Sequence, residues 1–398
     1  MVFSGLVAAL LVSAAVAKPV QPPVHKAAIT KKVHVHKLKD FVARDRARAQ
    51  HFAQRHSGVQ ARQSVDVTSE TISYLAAIDV GSPATTYNLI VDTGSSNTWV
   101  GADQRYRQTS TSQSTGKRVT VSYGSGTFSG TEFTDQVAIS DDLVIDSQSI
   151  GVASRASGFP EGVDGILGIG PVALTRNTVS GVSTVPTVTD NLRSQGIISR
   201  EVVSVSFEPS TTDEEVNGEL TFGGTDSSKF IGDITFVPIT RTSPASQYWG
   251  IDQTVTYGTT TLLKSAGIVD TGTTLVYLAT DVFKKYQSAT GATLDRSTDL
   301  LRITSSQLSN LKPLNFIIGG QTFTLSANAQ LWPRKLNEDI GGTSGSIYLV
   351  VNDLKTKSGK GLDFINGQAF LERFYTVYDT TGGRVGFAPT PFTNATTN

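Results

Sequence analysis

Short runs in which apolar residues take every second place fill most of this chain, and glycine, serine and proline separate them. Ile72, Tyr74, Ala76 and Ile78 alternate before Gly81-Ser82-Pro83 turns the chain, and Tyr87 then leads into Ile90-Val91. A two-residue period predicts strands with one buried face. Strand patterns return at 202–207 and 219–222, and 375–379 with 384–387 predicts a hairpin around Thr381-Gly382-Gly383. Residues 119–128 alternate on both sides of a Gly124-Ser125-Gly126 tip, a further hairpin signal. Helical spacing is rare. Leu38, Phe41, Val42, Ala49, Phe52 and Ala53 recur with it, ending before Ser57-Gly58. Val188 and Leu192 share a face within 187–195, and Val282, Phe283 and Tyr286 do so within 281–289. Residues 101–118 are rich in Ser, Thr and Gln and are predicted to be a loop. The pattern predicts an all-β protein with a few short helices, and its 398 residues favour two domains.

One stretch occurs twice. Ile90-Val91-Asp92-Thr93-Gly94 returns as Ile268-Val269-Asp270-Thr271-Gly272, followed by Ser95-Ser96 in one copy and Thr273-Thr274 in the other. Trp99-Val100 then answers Tyr277-Leu278. A β-branched pair before the Asp favours a buried strand, and Thr-Gly after it favours a tight turn. Each copy should present one carboxylate where a strand ends. Further on, Asp164-Gly165-Ile166-Leu167-Gly168 has a counterpart in Phe364-Ile365-Asn366-Gly367. A single Asp-Thr-Gly is ordinarily a strand followed by an Asx-type turn. The doubled motif, with matching hydroxyl residues and downstream glycines, is far more specific.

The first 62 residues differ from the rest. Residues 6–16 are apolar and end in Ala15-Val16-Ala17, too short to span a bilayer and followed by an A-x-A-like cleavage site. This predicts a signal peptide over 1–17, although its start lacks Lys or Arg, and hence a secreted protein without a membrane anchor. Residues 18–36 are rich in Pro, Lys and His and are expected to be extended, ahead of the basic amphipathic helix. Residues 18–62 hold eleven Lys and Arg against Asp40 and Asp45, whereas the remainder holds 23 against 32 Asp and Glu. A basic leader beside an acidic body predicts electrostatic docking between them, rather than a nucleic-acid or membrane-binding arm. Residues 18–62 are accordingly expected to be a propeptide, cut near Arg62-Gln63. In acid the leader's Lys, Arg and His are all charged while body carboxylates protonate, which weakens the attraction.

Composition narrows the chemistry. There is no Cys, and all five His (His25, His34, His36, His51 and His56) lie in the leader. A processed chain would hold no thiol or imidazole for nucleophilic catalysis or metal ligation, so no metal and no cofactor are expected. Two carboxylates within a few ångströms cannot both ionise cheaply, which leaves one acid and one base. Such a pair can hold a water, take its proton as it attacks an amide carbonyl, and support the oxygen charge that develops. Ser95 and Thr273 are placed to hydrogen-bond the outer carboxylate oxygens. Structurally the 119–128 hairpin is any surface hairpin, and functionally it is a mobile lid whose Tyr123 reaches a cleft.

These residues together resemble the pepsin family of aspartic peptidases, and within it the fungal polyporopepsin type. The resemblance runs from about Ile72 to Pro389 and rests on Val91 to Val100, Tyr123-Gly124-Ser125-Gly126, Asp164 to Gly168, Tyr248-Trp249 and Val269 to Thr274. It implies two β-barrel lobes, over 63–240 and 241–398, with a deep cleft between them. It implies that Asp92 and Asp270 are the catalytic pair, and that Tyr123, Gly124 and Ser125 form a flap with Trp99 beneath it. Gly94, Gly272 and Thr273 would line the cleft. It further implies a monomeric endopeptidase that binds polypeptides in extended form, prefers bulky apolar residues around the scissile bond, and is made as a zymogen. A propeptide lysine, Lys37 or Lys39, would contact the dyad. Two features depart from the family pattern. The chain has no disulfide, and Asn366 and Gln368 stand where an aliphatic residue and an Asp are common. Asn394-Ala395-Thr396 is the only N-glycosylation sequon.

Two other classes remain to be weighed. A pepsin-fold binding protein would have damaged one Asp or a flanking glycine, and here both sets are intact. A phospho-aspartate enzyme also uses an Asp-x-Thr-Gly run, but it would want Mg²⁺-binding carboxylates and a phosphate loop, and no convincing Walker pattern is present.

Overall fold

Three sheets realise the alternating pattern in the computed structural model, which describes residues 23–33, 40–55, 72–210 and 214–397. The largest has 13 strands; a second has seven and a third has three. The seven-stranded sheet is built from the second half of the chain, between Gly250–Tyr257 and Phe364–Asn366. The large sheet holds the first half, but it also draws in the end of the chain. Phe374–Asp379 lies against Val202–Phe207, with Thr376 opposite Val205, and Arg384–Pro389 and Thr235–Pro238 follow it outward. The molecule is mostly β, bilobal and pepsin-like.

Both copies of the repeated motif fold in the same way. Thr85–Asp92 runs parallel to Gly165–Gly168 and brings Asp92 opposite Gly168. Thr98–Val100 returns antiparallel on the other side of that short strand. In the second half Thr260–Val269 runs parallel to Phe364–Asn366, with Val269 opposite Asn366, and Val276–Leu278 returns beside it. The downstream short strands are thus wedged between the two arms of each Asp-Thr-Gly turn. The four short strands among these are buried throughout, as expected for near-continuous apolar runs covered on both faces.

The described parts of the leader are integral to this architecture. His25–Val33 is an interior strand, antiparallel to Glu214–Phe222 on one side and to Ile72–Val80 on the other. Ala27, Ile29, Lys31 and Val33 point inward. The Lys31 ammonium is accommodated there by Glu372 at 2.6 Å and by the Ser210 carbonyl at 3.3 Å. Tyr74 donates to the same Glu372 oxygen at 2.9 Å. The leader helix spans Phe41–Gln54 and buries Phe41, Val42, Ala49 and Phe52. Phe41 stacks on Trp332 at 5.0 Å between ring centroids, and Phe52 meets Tyr248 at 4.8 Å. Each such side chain contributes about 1.5–3 kcal/mol of apolar burial.

Sequence patterning misplaced one strand. Gln113–Ser122 begins inside the polar stretch expected to be a loop, and its first six residues are exposed. Pairing with Thr127–Ser140 holds it, so no apolar alternation was there to reveal it. The helices at Val188–Ser194 and Thr280–Thr290 stand where the spacing placed them. The first is closed by a capping box between Thr187 and Asp190. Among the described residues, no helix is long and apolar enough to cross a membrane. The expected signal peptide and the Arg62-Gln63 junction lie outside the described residues.

Candidate active site

Each Asp-Thr-Gly turn ends a buried strand, and the two turns meet. Thr93 N donates to Thr271 Oγ1 at 2.9 Å, and Thr271 N donates to Thr93 Oγ1 at 2.9 Å. Thr271 Oγ1 in turn donates to the Val91 carbonyl at 2.8 Å, and Thr93 Oγ1 to that of Val269 at 3.4 Å. This reciprocal clasp locks the two carboxylates face to face. Asp92 and Asp270 are both essentially inaccessible to solvent.

Their hydrogen bonds mirror one another. Asp92 Oδ1 accepts from Gly94 N at 3.0 Å, and Asp270 Oδ1 accepts from Gly272 N at 3.3 Å. The other oxygens, Oδ2, accept from the hydroxyls of Ser95 and Thr273, each at 2.5 Å. A Cβ at position 94 would fall 2.6 Å from Asp270 Oδ1, and one at position 272 would fall 2.7 Å from Asp92 Oδ1. Both glycines are therefore required by the close approach of the opposite carboxylate, and Oδ1 is the inner oxygen of each Asp.

Arg48 of the leader helix occupies the space between the inner oxygens. Its Nη2 donates to Asp92 Oδ1 and, at 2.9 Å, to Asp270 Oδ1, while its Nε donates to Asp270 Oδ2 at 2.8 Å. Burial opposes the guanidinium charge, but Asp270 and Asp92 outweigh it and raise the pKa of Arg48 above its ordinary value. The guanidinium lies over the Phe52 ring, its carbon 4.8 Å from the centroid. The cation on the dyad is thus an arginine well inside the helix. The expected lysines, Lys37 and Lys39, lie outside the described residues.

Other helix residues grip the second half. Asp45 Oδ2 accepts from Thr274 N at 3.0 Å and Leu275 N at 3.3 Å, and burial raises its pKa to about 6 against the opposing pull of Arg44. Arg46 reaches Asp299, Asn352 Oδ1 and the Asp353 carbonyl.

The hairpin closes the site from above. Tyr123 N donates to Gly126 O at 2.8 Å across the tip, and the buried Tyr123 ring lies 6.5 Å from that of Trp99, inclined by 25°. Trp99 stacks on Phe128 at 4.2 Å. Burial drives the Tyr123 phenol well above its ordinary pKa. Gly124 has φ +77°, and a Cβ there would come 2.4 Å from the Ala47 carbonyl. The leader helix therefore fills the space between hairpin and dyad, and Ser125 beside Gly124 is buried with it. Asn394 is exposed, away from this site.

A family model for eukaryotic aspartyl proteases matches residues 73–390. The chain belongs to this family. It is a pepsin-type aspartic endopeptidase, a peptide hydrolase. Polyporopepsin from Irpex lacteus is 60% identical over 342 residues, 85% of this chain and 100% of that one. Rhizopuspepsin from Rhizopus chinensis is 36% identical over 71% of this chain and 67% of its own length. The crystal structure of an aspartic proteinase from Irpex lacteus matches with a TM-score of 0.82 and 54% identity, covering 94% of this chain and all of that one.

In this aspartic peptidase the two departures near the second Asp make hydrogen bonds to neutral groups. Asn366 and Gln253 exchange side-chain amide hydrogen bonds at 2.9 and 3.2 Å, and Gln368 Nε2 donates to the Thr271 carbonyl at 2.9 Å. Sequence reasoning missed Thr93 and Thr271 as a clasp, although their repetition in both copies was the available signal. It also missed Arg48 and Arg46, which nothing in the leader's local pattern separates from its other arginines. Among the described residues, no group of three or more His, Asp or Glu could hold a metal ion.

Proposed function

We propose that this protein is a secreted acid endopeptidase, made as a zymogen and working through Asp92 and Asp270. The observation that carries the reading is the sharing of one Arg48 nitrogen by the inner oxygens of both carboxylates. That nitrogen stands where a water held by both would sit. Two acids sharing a site, for which the aspartic-protease dyad is the usual worked example, divide into one protonated and one ionised group. The ionised Asp removes a proton from the water as it attacks the amide carbonyl. The protonated Asp hydrogen-bonds the carbonyl oxygen as its charge develops and later returns a proton to the leaving nitrogen. Ser95 and Thr273 hold the outer oxygens, and the Thr93–Thr271 clasp fixes the separation. This chemistry runs on water and carboxylates alone.

The leader, residues 18–62, acts as an intramolecular inhibitor. Its helix takes the space a substrate backbone would need, and its arginine neutralises the dyad. Acid releases it, and cutting near Arg62-Gln63 frees a monomeric enzyme of two lobes, 63–240 and 241–398. Substrates are polypeptides with bulky apolar residues at the scissile bond, held under the Tyr123–Ser125 flap. The 1–17 segment directs secretion. Asn394, exposed near the C-terminus, is the site for an N-linked glycan.

The test is proteolysis of denatured protein in acid by the wild type and by Asp92→Asn and Asp270→Asn. Each substitution should abolish turnover. Cleavage that survives either one, or that a chelator removes, would sink the dyad mechanism. Incubating the secreted precursor at neutral and acid pH checks the rest, because the leader should be lost only in acid.

A further inference from the structure

The Arg46 guanidinium sits in a second receptor, separate from the dyad. Its Nη1 pairs with the Asp299 carboxylate, its Nη2 donates to Asn352 Oδ1 at 2.7 Å, and its Nε donates to the Asp353 carbonyl at 3.2 Å. Three acceptors around a planar fork match a guanidinium in a way that a point charge cannot.

The body holds these acceptors in place without help from Arg46. Asn352 is 1% exposed, and its Nδ2 donates to the Asp299 carbonyl at 3.0 Å, which turns its oxygen toward the guanidinium. The same oxygen accepts from Asp353 N at 2.7 Å. Asp299 has φ +57° and is anchored by its own amide on the Asp295 carbonyl at 2.8 Å. The Asp353 carboxylate is engaged elsewhere, by Thr280 at 2.6 Å and Lys355 N at 2.7 Å, which leaves its carbonyl to face the guanidinium. The receptor therefore persists when the leader is gone.

Its position places it on the wall of the substrate cleft. Asn352 pairs in register with Tyr277, seven residues beyond Asp270 on the strand that follows the catalytic turn. Arg46 precedes Arg48 by two residues, an axial rise of about 3 Å along the helix. One helical turn thus spans both the dyad and this receptor.

We propose that, in the leader-free enzyme, Asp299, Asn352 and the Asp353 carbonyl form a specificity subsite for an arginine side chain of the substrate, a few residues from the scissile bond. The inference rests on the endopeptidase reading above. The leader occupies the subsite with its own arginine and so blocks the reaction centre and a recognition element together. Arginine is favoured over lysine, because an ammonium reaches fewer of the three acceptors in good geometry.

The experiment uses processed enzyme and a set of peptides that share one apolar scissile pair. A single Gln is placed in turn at each of four positions on either side, and is then replaced by Arg or Lys. At one position Arg should raise kcat/KM about tenfold over Gln, the worth of charge-assisted hydrogen bonds in a partly exposed site, with Lys in between. In Asp299→Asn, which keeps the shape and tolerates positive φ, the Arg-to-Gln ratio at that position should fall to within about twofold of one. The proposal is overturned if no position favours Arg, or if the preference persists in Asp299→Asn. Failure to cleave any peptide, including the Gln parents, would overturn the endopeptidase reading and this proposal with it.

Discussion

Replacing Arg48 by Met isolates the charge that, on the zymogen reading proposed above, closes the precursor. Methionine keeps an unbranched stem and a similar helix propensity, so the helix should still form and pack. What disappears is a guanidinium bonded at Nε and Nη2 to two fully buried carboxylates. Removing one partner of a buried ion pair costs about 3–5 kcal/mol. Here the two carboxylates face one another, and one of them can take up a proton, which returns part of that cost. The docked state should therefore weaken by about 2–4 kcal/mol, or about 30- to 700-fold in the docking equilibrium. Binding of a fluorescent statine-type inhibitor to freshly purified precursor near neutral pH reads this directly. The wild type should bind slowly and weakly, and Arg48→Met faster and more tightly. Arg48→Lys should fall between, because an ammonium cannot serve both carboxylates as a fork does. An Arg48→Met precursor as closed to inhibitor as the wild type would refute the assignment of this arginine as the latch.

Three further outcomes follow from the same geometry. Asp45 is held near pKa 6 when docked, against about 3.8 when free. The docked helix therefore gains a proton first, and the Asp45 contribution strengthens as pH falls from about 6 to 4, opposing the proposed acid release over that range. Asp226, drawn down to about 2 by Lys26 and Ser228 despite its burial, works the other way, and its contribution is lost as pH falls from 3.8 toward 2. Hydrogen exchange of residues 41–54 across pH should show Asp45→Asn lacking the gain between 6 and 4, and an unchanged profile would count against the shift. Thr93→Val and Thr271→Val each leave a buried backbone N–H without its acceptor and should destabilise by about 1–3 kcal/mol. Thermal unfolding and kcat should both fall, with Thr→Ser largely sparing them. Gly94→Ala would put a methyl 2.6 Å from the inner oxygen of Asp270. It should cut kcat far more than Tm, and normal turnover in this variant would argue against the face-to-face dyad.

The dyad was legible because its signal is local and doubled. A β-branched pair, an Asp and a Thr-Gly turn determine one another within five residues, and the second copy supplies the partner. The hairpin over the site was legible for the same reason, since Gly124 and Gly126 mark its tip. The leader helix announced itself by spacing, yet its function depends on which of several arginines meets the dyad. That is settled by contacts such as those of Phe41 with Trp332 and Phe52 with Tyr248, hundreds of residues away in sequence. The leader strand was harder still. Its inward face carries Lys31, a residue that argues against burial until Glu372 is seen beside it. Gln113 to Arg118 form a strand with both faces in solvent, so the hydrophobic pattern had nothing to record there.

The leader strand also bears on how the molecule would hold together if the proposed cut is made. His25–Val33 is hydrogen-bonded on both sides, to Glu214–Phe222 and to Ile72–Val80. Pulling it out does more than uncover a cleft. It opens a seam in the middle of the largest sheet, with two rows of backbone donors and acceptors newly facing water and ready to pair with any extended chain nearby. A gene lacking the leader would ask the polypeptide to build that sheet around a gap from the outset. If the leader is cut away as proposed, the open seam carries a hazard of self-association unless it is refilled as fast as it opens.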